Sequence, residues 1–364
     1  MNKIYTPIHI VKKTIPLWWI SDTSLLIFSH RSFYLLNLDT YEKSFICKLI
    51  PNSFFKKICM VFSLGRRIFR LQPHSFISSD NPSLFFFSFD GGIYQLNIRS
   101  KTIKKEIELR HNETRTLSLL SYKNKIYYGE YPTKGINEVG IFERTDYQNW
   151  KCAFSFDKGD VRHIHELKDY NSDIYCFTGD ENKQIKIIRF ANGIVSQDNS
   201  EIISQGDQSF RTCFSFFDGN NLFYITDTPY QTNQLIRISL SENTIHRCFD
   251  VSGPVIFGSS QNNNCVLFST AVENNLAKDG LGKNKRIAID GINGGVLSKK
   301  ASLIEFNYRE GKMKTIFTLK KDFLSTKFGI GTFLMPKNQS NIYYAVSSSC
   351  LKKHERCFIF KKEI

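Results

Sequence analysis

The sequence predicts an all-β protein, a β-propeller of six or seven blades. Three observations support this fold class: an apolar strand unit that recurs along the chain, turn residues between successive strands, and an aromatic-rich composition without long helical periodicity. Of the 364 residues, 32 are Phe and 16 are Tyr. Such side chains suit the pleated, half-buried surface of a sheet. A single domain over residues 1–364 is expected, because a propeller can accommodate a chain of this length.

The recurring unit is a short apolar strand followed by a polar break. Its seven instances begin at Ser24, Ser83, Lys125, Asp173, Asn221, Cys265 and Asn341. Successive starts are 59, 42, 48, 48, 44 and 76 residues apart, and the longest gap contains an irregular insertion at about 274–300. Regular spacing of short strands at this interval is typical of propeller blades. A β-sandwich is the main alternative, but it would need fewer strands.

Turn residues separate each unit from a partner strand, as in Asp90-Gly91-Gly92 and Glu310-Gly311. We interpret the repeated unit as the second strand of a four-stranded blade. The segments that lead into the first strand and leave the second strand then share one face. The polar residues that follow the unit are Glu130, Asp180, Asp227 and Glu273. The segments interpreted as first strands are Glu113–Ser118, Val161–His165 and Gln208–Cys213.

An arginine occurs near the start of each presumed first strand: Arg115, Arg162 and Arg211, with Arg66–Arg70 as a fourth candidate. The sequence therefore predicts a ring of arginines with acids around it, at the mouth of the central channel. Guanidinium groups that converge from separate strands suit a carboxylate or phosphate, which each can bind in a bidentate way. An arginine–acid lattice that joins neighbouring blades is the structural alternative, and the sequence supports both interpretations.

The acids of this ring are candidates for general acid/base catalysis, or for a nucleophile at a glycosidic carbon. For any single acid the alternative is turn chemistry, since Asp often bonds nearby backbone amides in a turn. His163 and His165 are spaced to point to the same side of a strand. They are candidates for a base, a proton shuttle or metal ligands, with Gln208 or Asp180 as a third ligand. A hydrogen-bonded structural pair is the alternative, and we expect no metal and no cofactor.

The net charge of +15 favours an anionic partner. Lysines that solvate loops and sheet edges are the alternative explanation. No pattern typical of a nucleic-acid-binding domain is present in the sequence, and neither is a phosphate-binding glycine loop, a GxSxG elbow or an HExxH motif. Nine cysteines without CxxC spacing indicate free thiols in a reducing compartment. With no signal peptide recognised, a cytoplasmic location is expected.

The order of these polar motifs over about residues 60–275 resembles sialidase-like (BNR-type) propeller proteins. The residues that carry the resemblance are Gly129-Glu130-Tyr131, Arg162-His163-Ile164-His165, Thr178-Gly179-Asp180, Gln208 with Arg211, Thr226-Asp227-Thr228-Pro229, and Ser269-Thr270 with Val272-Glu273. Relatives of this kind are often encoded in bacterial capsule and O-antigen gene clusters. The resemblance implies a propeller fold and a role in surface-polysaccharide metabolism. The Asp-box of sialidases is replaced by Arg144–Trp150, which is one residue shorter and lacks the glycine.

These observations lead to the expectation of a carbohydrate-active enzyme, a glycosyltransferase that handles an acidic sugar or a nucleotide-sugar. The alternatives are a glycoside hydrolase, a metal-dependent polysaccharide lyase, and a non-catalytic glycan-binding or scaffold propeller. The expected catalytic residues are Glu130, His163, Asp180, Asp227 and Glu273. The expected substrate-binding residues are Arg115, Tyr131, Arg162, His165, Gln208 and Arg211. The basic surface is a candidate for peripheral association with membrane-bound polysaccharide machinery.

Overall fold

The computed structural model describes residues 5–111, 113–133, 137–262, 264–273, 275–276, 287–288 and 294–363. Its strands are β1 (His9–Lys12), β2 (Thr14–Trp19), β3 (Ser24–Ser29), β4 (Ser32–Asn37), β5 (Lys43–Lys48), β6 (His74–Ser78), β7 (Leu84–Phe89), β8 (Gly92–Asn97), β9 (Thr102–Glu108), β10 (Ser118–Tyr122), β11 (Lys125–Gly129), β12 (Val139–Asp146), β13 (Asn149–Phe156), β14 (His163–Tyr170), β15 (Asp173–Gly179), β16 (Lys186–Phe190), β17 (Ser200–Gln205), β18 (Thr212–Asp218), β19 (Asn221–Thr226), β20 (Asn233–Ser239), β21 (Thr244–Val251), β22 (Val255–Gln261), β23 (Cys265–Thr270), β24 (Asn275–Leu276), β25 (Ile287–Ala288), β26 (Lys300–Asn307), β27 (Lys312–Lys320), β28 (Thr332–Leu334), β29 (Tyr343–Ser349) and β30 (Arg356–Lys361).

Helices are fewer than strands among the described residues. Two are α-helices, α1 (Phe54–Cys59) and α2 (Ser63–Ile68). The 3₁₀ turns are Asn182–Gln184, Ala191–Gly193, Gln197–Asn199, Gln208–Phe210 and Thr326–Phe328. Within the described part of the chain, no helix is both long and apolar enough to cross a lipid bilayer.

The fold is a seven-bladed β-propeller, built from seven four-stranded antiparallel sheets. The sheets are β2–β5, β6–β9, β10–β13, β14–β17, β18–β21, the set β22, β23, β26 and β27, and the set β28, β29, β30 and β1. The predicted fold class is therefore confirmed, with seven blades. Each repeated apolar unit forms the second strand of its sheet: β3, β7, β11, β15, β19, β23 and β29. Their central residues are fully or nearly fully buried, which explains the continuous apolar runs in the sequence.

The hairpins between successive strands use the turn chemistry that the sequence indicated. Asp90 and Gly91 both have positive φ, at 44° and 79°, between β7 and β8. Asn171 and Ser172, at 46° and 70°, do the same between β14 and β15. Two consecutive residues with positive φ are the mark of the type I′ turn, whose twist matches that of the flanking strands.

The last sheet contains both the first and the last strand of the chain. β1 pairs with β30 in antiparallel register, from His9 opposite Ile359 to Lys12 opposite Arg356. The amide of Ile8 also donates to the carbonyl of Ile359, at 2.8 Å. The first strand thus covers an edge of β30 that would otherwise expose unpaired backbone groups.

The insertion predicted at about 274–300 separates the second and third strands of the sixth sheet. Its short strands β24 and β25 pair with each other, Asn275 opposite Ala288 and Leu276 opposite Ile287. Residues 274, 277–286 and 289–293 of this insertion lie outside the described residues. Near its end, the amide of Gly295 donates to the carbonyl of Pro229.

The interpretation of Arg66–Arg70 as the start of a first strand is wrong. Arg66 and Arg67 lie on α2, and both are buried. Arg66 donates through Nε to Oε1 of Glu355 at 2.8 Å, and Arg67 pairs with Asp322. The strand that follows, β6, begins at His74.

The chain divides into two compact units. The larger unit comprises residues 1–50, 55–69 and 218–364, and the smaller unit comprises residues 51–54 and 70–217. In the smaller unit the first strands β6, β10 and β14 are neighbours, and apolar clusters fill the space between consecutive sheets. One such cluster includes Ile164, Ile174 and Phe190 from the fourth sheet, together with Tyr127 and Phe154 from the third. This packing holds the segments before β10 and β14 close together.

Candidate functional site

One carboxylate, that of Asp180, lies at the centre of a group of basic side chains in the smaller unit. Asp180 directly follows β15, and residues 162–165 run into its partner strand β14. His163 lies opposite Gly179 in the register of this pair. The sequence therefore brings the end of one strand beside the start of the other, and their polar side chains meet.

Four basic side chains reach the Asp180 carboxylate. Oδ2 lies 3.0 Å from Nε2 of His163 and 3.5 Å from Nη1 of Arg162. Oδ1 lies 3.3 Å from Nε2 of His165 and 3.2 Å from Nη2 of Arg211. We call these five residues the Asp180 cluster. Because two arginines share one carboxylate, the cluster carries more positive than negative charge even when both imidazoles are neutral.

The cluster controls the ionisation of its own members. Burial would raise the pKa of Asp180, but hydrogen bonds from His163 and His165 and the charge of Arg211 outweigh it and hold the pKa well below its usual range. Burial lowers the pKa of His163, and its hydrogen bond to Asp180 offsets this only in part. His163 is thus a neutral imidazole near pH 7, and Asp180 is a carboxylate.

The two histidines are fixed in different ways. His163 presents Nε2 to Asp180, which favours the tautomer with the proton on Nε2 and leaves the lone pair on Nδ1. Within the described structure that Nδ1 is buried and has no hydrogen-bond partner. His165 faces the carbonyl of Thr212 through Nδ1, at 3.2 Å, and Asp180 through Nε2. A bulge in β14 between Ile164 and Glu166 accompanies this arrangement.

A small residue next to the cluster makes room for the imidazole of His165. Gly179 ends β15, and a Cβ built on it would lie 2.5 Å from Cε1 of His165. That distance is shorter than side-chain packing tolerates, so a larger residue would displace the ring. The Thr178-Gly179-Asp180 motif therefore has a packing reason for its glycine.

Two further candidate residues border the cluster. The ring of Tyr131 stacks on that of His163, with centroids 4.0 Å apart and planes 17° apart. The side-chain amide of Gln208 donates from Nε2 to the backbone carbonyl of Asp180 at 2.8 Å and to Oδ1 of Asn182 at 3.0 Å. Oε1 of Gln208 is buried, with no hydrogen-bond partner among the described residues. Tyr131 thus covers one face of the His163 ring, and Gln208 holds the loop after Asp180.

Arg115 lies apart from the Asp180 carboxylate. Its Nη1 is 3.5 Å from Nδ1 of His74, and in the described structure its Nε is buried without a hydrogen-bond partner. Burial lowers the pKa of Arg115 to about 10, and the charge of Arg70 lowers it further while Tyr131 acts in the opposite direction. Among the described residues no carboxylate pairs with Arg115, and a cationic group next to another cation suits an anionic ligand. Arg115 precedes β10, which begins at Ser118 rather than at residue 113 as the sequence suggested.

Glu130 is held in an ion pair of its own. Its carboxylate is fully buried and accepts two hydrogen bonds from Arg110, Nε to Oε1 at 2.7 Å and Nη2 to Oε2 at 2.8 Å. The amide of Gly140 donates to Oε2 at 2.8 Å. Three hydrogen bonds fix this fully buried carboxylate, so the geometry favours a structural role. Its catalytic role stays a prediction.

Asp227 and Glu273 belong to the larger unit. Asp227 directly follows β19 and is buried, and Glu273 follows the bridge between Val272 and Gly331. All the other candidate residues lie in the smaller unit. The predicted ring of arginines and acids, which includes members of both units, stays a prediction.

Sequence analysis did not single out Glu113 or Arg110. Glu113 is buried, and burial raises its pKa from the ordinary 4.5 to about 8. The backbone amide of Tyr131 and the charge of Arg110 favour the ionised form, while the charge of Glu130 disfavours it. Glu113 is therefore a mostly neutral carboxylic acid at pH 7, close to Tyr131. Nothing in the sequence distinguished it from the turn residues around it, because the signal is burial.

Comparisons with known proteins show the fold of this chain. No protein-family model matches it, and no curated protein does. Among solved structures, one similar chain comes from a crystal structure of the mitotic checkpoint complex, with 9% identity over 100% of this chain and 94% of that one, and a TM-score of 0.59. An oligogalacturonate lyase from Vibrio parahaemolyticus has 9% identity over 93% of each chain and a TM-score of 0.55. An oligogalacturonate lyase in complex with manganese has 8% identity over 100% of this chain and 96% of that one, also with a TM-score of 0.55.

Proposed function

We propose that this chain binds an acidic carbohydrate at the Asp180 cluster and cleaves a glycosidic bond of that carbohydrate by β-elimination. The observation that carries the proposal is the single carboxylate of Asp180 shared by two arginines and two histidines. A metal-dependent polysaccharide lyase was one of the alternatives indicated by the sequence, and the proposal keeps the lyase class without the metal. The likeness of this chain to two oligogalacturonate lyases supports the proposal.

The substrate class follows from the charge of the cluster. Arg162 is the accessible cation, because 44% of its side chain is exposed, whereas Arg211 is mostly buried. The carboxylate of a uronic acid can bind the outward side of the Arg162 guanidinium in a bidentate way. The exposed guanidinium of Arg162 is therefore the group that we propose binds the anionic ligand.

Elimination needs fewer carboxylates than glycoside hydrolysis. Hydrolysis commonly uses a pair of Asp or Glu residues, one of them a proton donor. In the Asp180 cluster there is one carboxylate, and its low pKa prevents it from donating a proton near neutral pH. Glu130 is committed to Arg110. The cluster therefore supports elimination better than hydrolysis, and the glycosyltransferase expectation stays a prediction.

The proposed reaction uses His163 as the base. Its Nδ1 takes the proton from the sugar carbon next to the carboxylate, and the electron pair forms a double bond to the neighbouring ring carbon. The bond from that carbon to the glycosidic oxygen breaks, and the oxygen takes up a proton. The hydroxyl of Tyr131, stacked on His163, is the donor in this proposal. Arg162 and Arg211 stabilise the negative charge that develops on the substrate carboxylate.

A second candidate function is binding of the same acidic glycan without turnover. The burial of Nδ1 of His163 and of Oε1 of Gln208 favours it, because a buried base must become accessible before it reacts. A divalent cation at this site would have to displace Arg162 and Arg211 from Asp180. For that reason the proposal assigns charge stabilisation to the arginines.

The test is incubation of the purified protein with uronate-containing oligosaccharides, followed through the ultraviolet absorbance of the unsaturated product. His163→Ala should abolish product formation and retain binding, while Arg162→Ala should weaken binding by about tenfold or more. Arg189→Ala is the matched control, since Arg189 lies on β16 of the same sheet and pairs with Asp173. Binding without product in the wild-type protein would favour the second candidate. Neither binding nor product with any uronate would contradict both.

A further inference from the structure

The segment between the first and second sheets exposes apolar side chains to an unusual extent. It contains α1 and α2, and Phe62 between them is 62% exposed. Phe55, Ile58, Val61, Leu64, Ile68 and Phe69 of the same segment are also exposed. Phe323, which is 96% exposed, and Phe328 lie on a loop of the same unit. We call these side chains the insert face. Contiguous apolar surface of this kind marks an interaction site.

The polarity of α2 is inverted relative to that of a helix that faces water. Its two charged residues, Arg66 and Arg67, point into the protein, and its apolar residues point outward. Arg66 bonds Glu355 through its guanidinium and also donates to the carbonyls of Met60 and Val61 at 2.9 and 3.1 Å. A six-residue helix is not stable alone. These buried bonds therefore hold α2 in place with its apolar side outward.

The loop that carries Phe323 is tied to the same helix. Arg67 pairs with Asp322 and donates through Nε to the carbonyl of Phe328 at 2.8 Å. One arginine thus fixes both ends of residues 322–328 against α2. The exposed aromatic side chains of the helices and of the loop therefore lie on segments that Arg67 holds together.

The charges around the insert face are positive. Between Glu42 and Asp80 the sequence contains seven Lys and Arg residues and no Asp or Glu, and five of these remain when the buried and paired Arg66 and Arg67 are set aside. Two exposed lysines flank the loop of residues 322–328 and lie side by side, because the amide of Lys352 donates to the carbonyl of Lys320 at 2.8 Å. Lys353, the next residue in the chain, is also exposed. On α1, Lys57 is exposed as well. Apolar side chains rimmed by lysines match an anionic lipid surface, where the lysines meet headgroups and the aromatics enter the interface.

We propose that the insert face binds the surface of an anionic lipid membrane. Charge complementarity selects this partner over a second copy of the chain, because a second copy would present the same lysines and repel. The proposal is independent of the activity proposed for the Asp180 cluster. The sequence suggested peripheral membrane association through a basic surface. The proposal assigns that surface to the insert face and adds the apolar side chains that would contact the lipid.

The experiment is co-sedimentation of the whole protein with vesicles of phosphatidylcholine alone or of phosphatidylcholine mixed with phosphatidylserine. We expect binding to the anionic vesicles, weakened by added salt, and little binding to the neutral ones. Phe62→Ser and Phe323→Ser should each lower the partition coefficient by about tenfold or more. Lys352→Glu should lower it by at least about fivefold. Ile245→Ser is the matched control, because Ile245 is an exposed apolar residue of the same unit on β21.

Three outcomes would overturn the proposal. The first is an absence of binding to anionic vesicles by wild-type protein. The second is a loss of binding in Ile245→Ser equal to that in Phe62→Ser, which would mean that the insert face is not the contact. The third is a dimer, measured by light scattering without lipid, that Phe62→Ser dissociates, because the occupant would then be a second copy. Thermal unfolding of each variant should match the wild type, since all four side chains are exposed.

Discussion

The buried carboxyl group of Glu113 should make the stability of the protein depend on pH in a defined window. In the folded chain its pKa is about 8, because burial disfavours the charged form, whereas 4.5 is its ordinary value. Below pH 4.5 the group is protonated in both the folded and the unfolded chain, and it costs the folded state nothing. As the pH rises toward 8, the unfolded chain loses this proton and the folded chain keeps it, so the free energy of unfolding falls.

The size of this effect follows from the two pKa values. One pKa unit corresponds to about 1.4 kcal/mol. The displacement from 4.5 to about 8 therefore corresponds to a loss of about 5 kcal/mol as an upper limit, complete above pH 8. Glu113→Gln replaces the acid by a neutral side chain of the same shape, which does not titrate between pH 4 and pH 9. The variant should equal the wild type near pH 4 and exceed it in stability at pH 9.

The assay is urea unfolding of the wild-type protein and of Glu113→Gln at a series of pH values. The quantity to compare is the difference in free energy of unfolding between the two proteins, which cancels the pH dependence of all other groups. Asp198→Asn is the control, since Asp198 is exposed in the same unit. A difference between Glu113→Gln and wild type that stays constant from pH 4 to pH 9 would refute the reasoning.

Two other predictions concern packing and ion pairs in the smaller unit. Gly179→Ala should displace the imidazole of His165 and separate it from Asp180, with a loss of about 1–3 kcal/mol in stability and a change in the histidine NMR signals; unchanged signals would show that the ring has room. Arg110→Ala should destabilise the protein by about 3 kcal/mol or more, because it leaves the buried Glu130 carboxylate without its partner. Chemical denaturation should show a smaller loss for Glu130→Gln, and equal losses would mean that charge is not the cause.

The sequence was sufficient to locate the second strand of every sheet. These strands are buried on both faces, so their residues form short continuous apolar runs such as Leu25–Phe28 and Leu222–Ile225. The end of each run marks the end of a strand, and so the sequence also locates the polar residue that comes directly after the strand. Asp180 was found in this way, and so were the two histidines of the strand that pairs with it.

The first strands and the helices were harder to locate. β10 begins five residues after the predicted start, because Glu113–Leu117 is an irregular segment whose groups bond across to neighbours rather than into a strand ladder. One example is the hydroxyl of Thr116, which donates to the carbonyl of Gly129 on β11. Arg66 and Arg67 looked like the start of a strand because their partners, Glu355 and Asp322, are more than two hundred residues away. No local pattern reveals such pairs.

The centre of the cluster also depended on tertiary structure. Arg162, Arg211 and Asp180 were each proposed from the sequence. The sequence could not predict that both arginines and both histidines share the one carboxylate. That arrangement depends on side-chain distances across three segments of the smaller unit. Glu113 was missed for the same reason, since only its burial distinguishes it from an ordinary turn acid.

The pairing of β1 with β30 has a consequence for the folding of the chain during synthesis. Val11 lies opposite Cys357, so the final sheet joins residues that are separated by almost the entire chain. Closing a loop of this length is slow, and it cannot begin before the last strand leaves the ribosome. Until then β1 has no partner strand, and in a chain without β1 the outer edge of β30 would stay unpaired and could pair with the strand of another molecule. Deleting residues 5–12 should therefore increase aggregation of newly made protein without altering any residue of the Asp180 cluster.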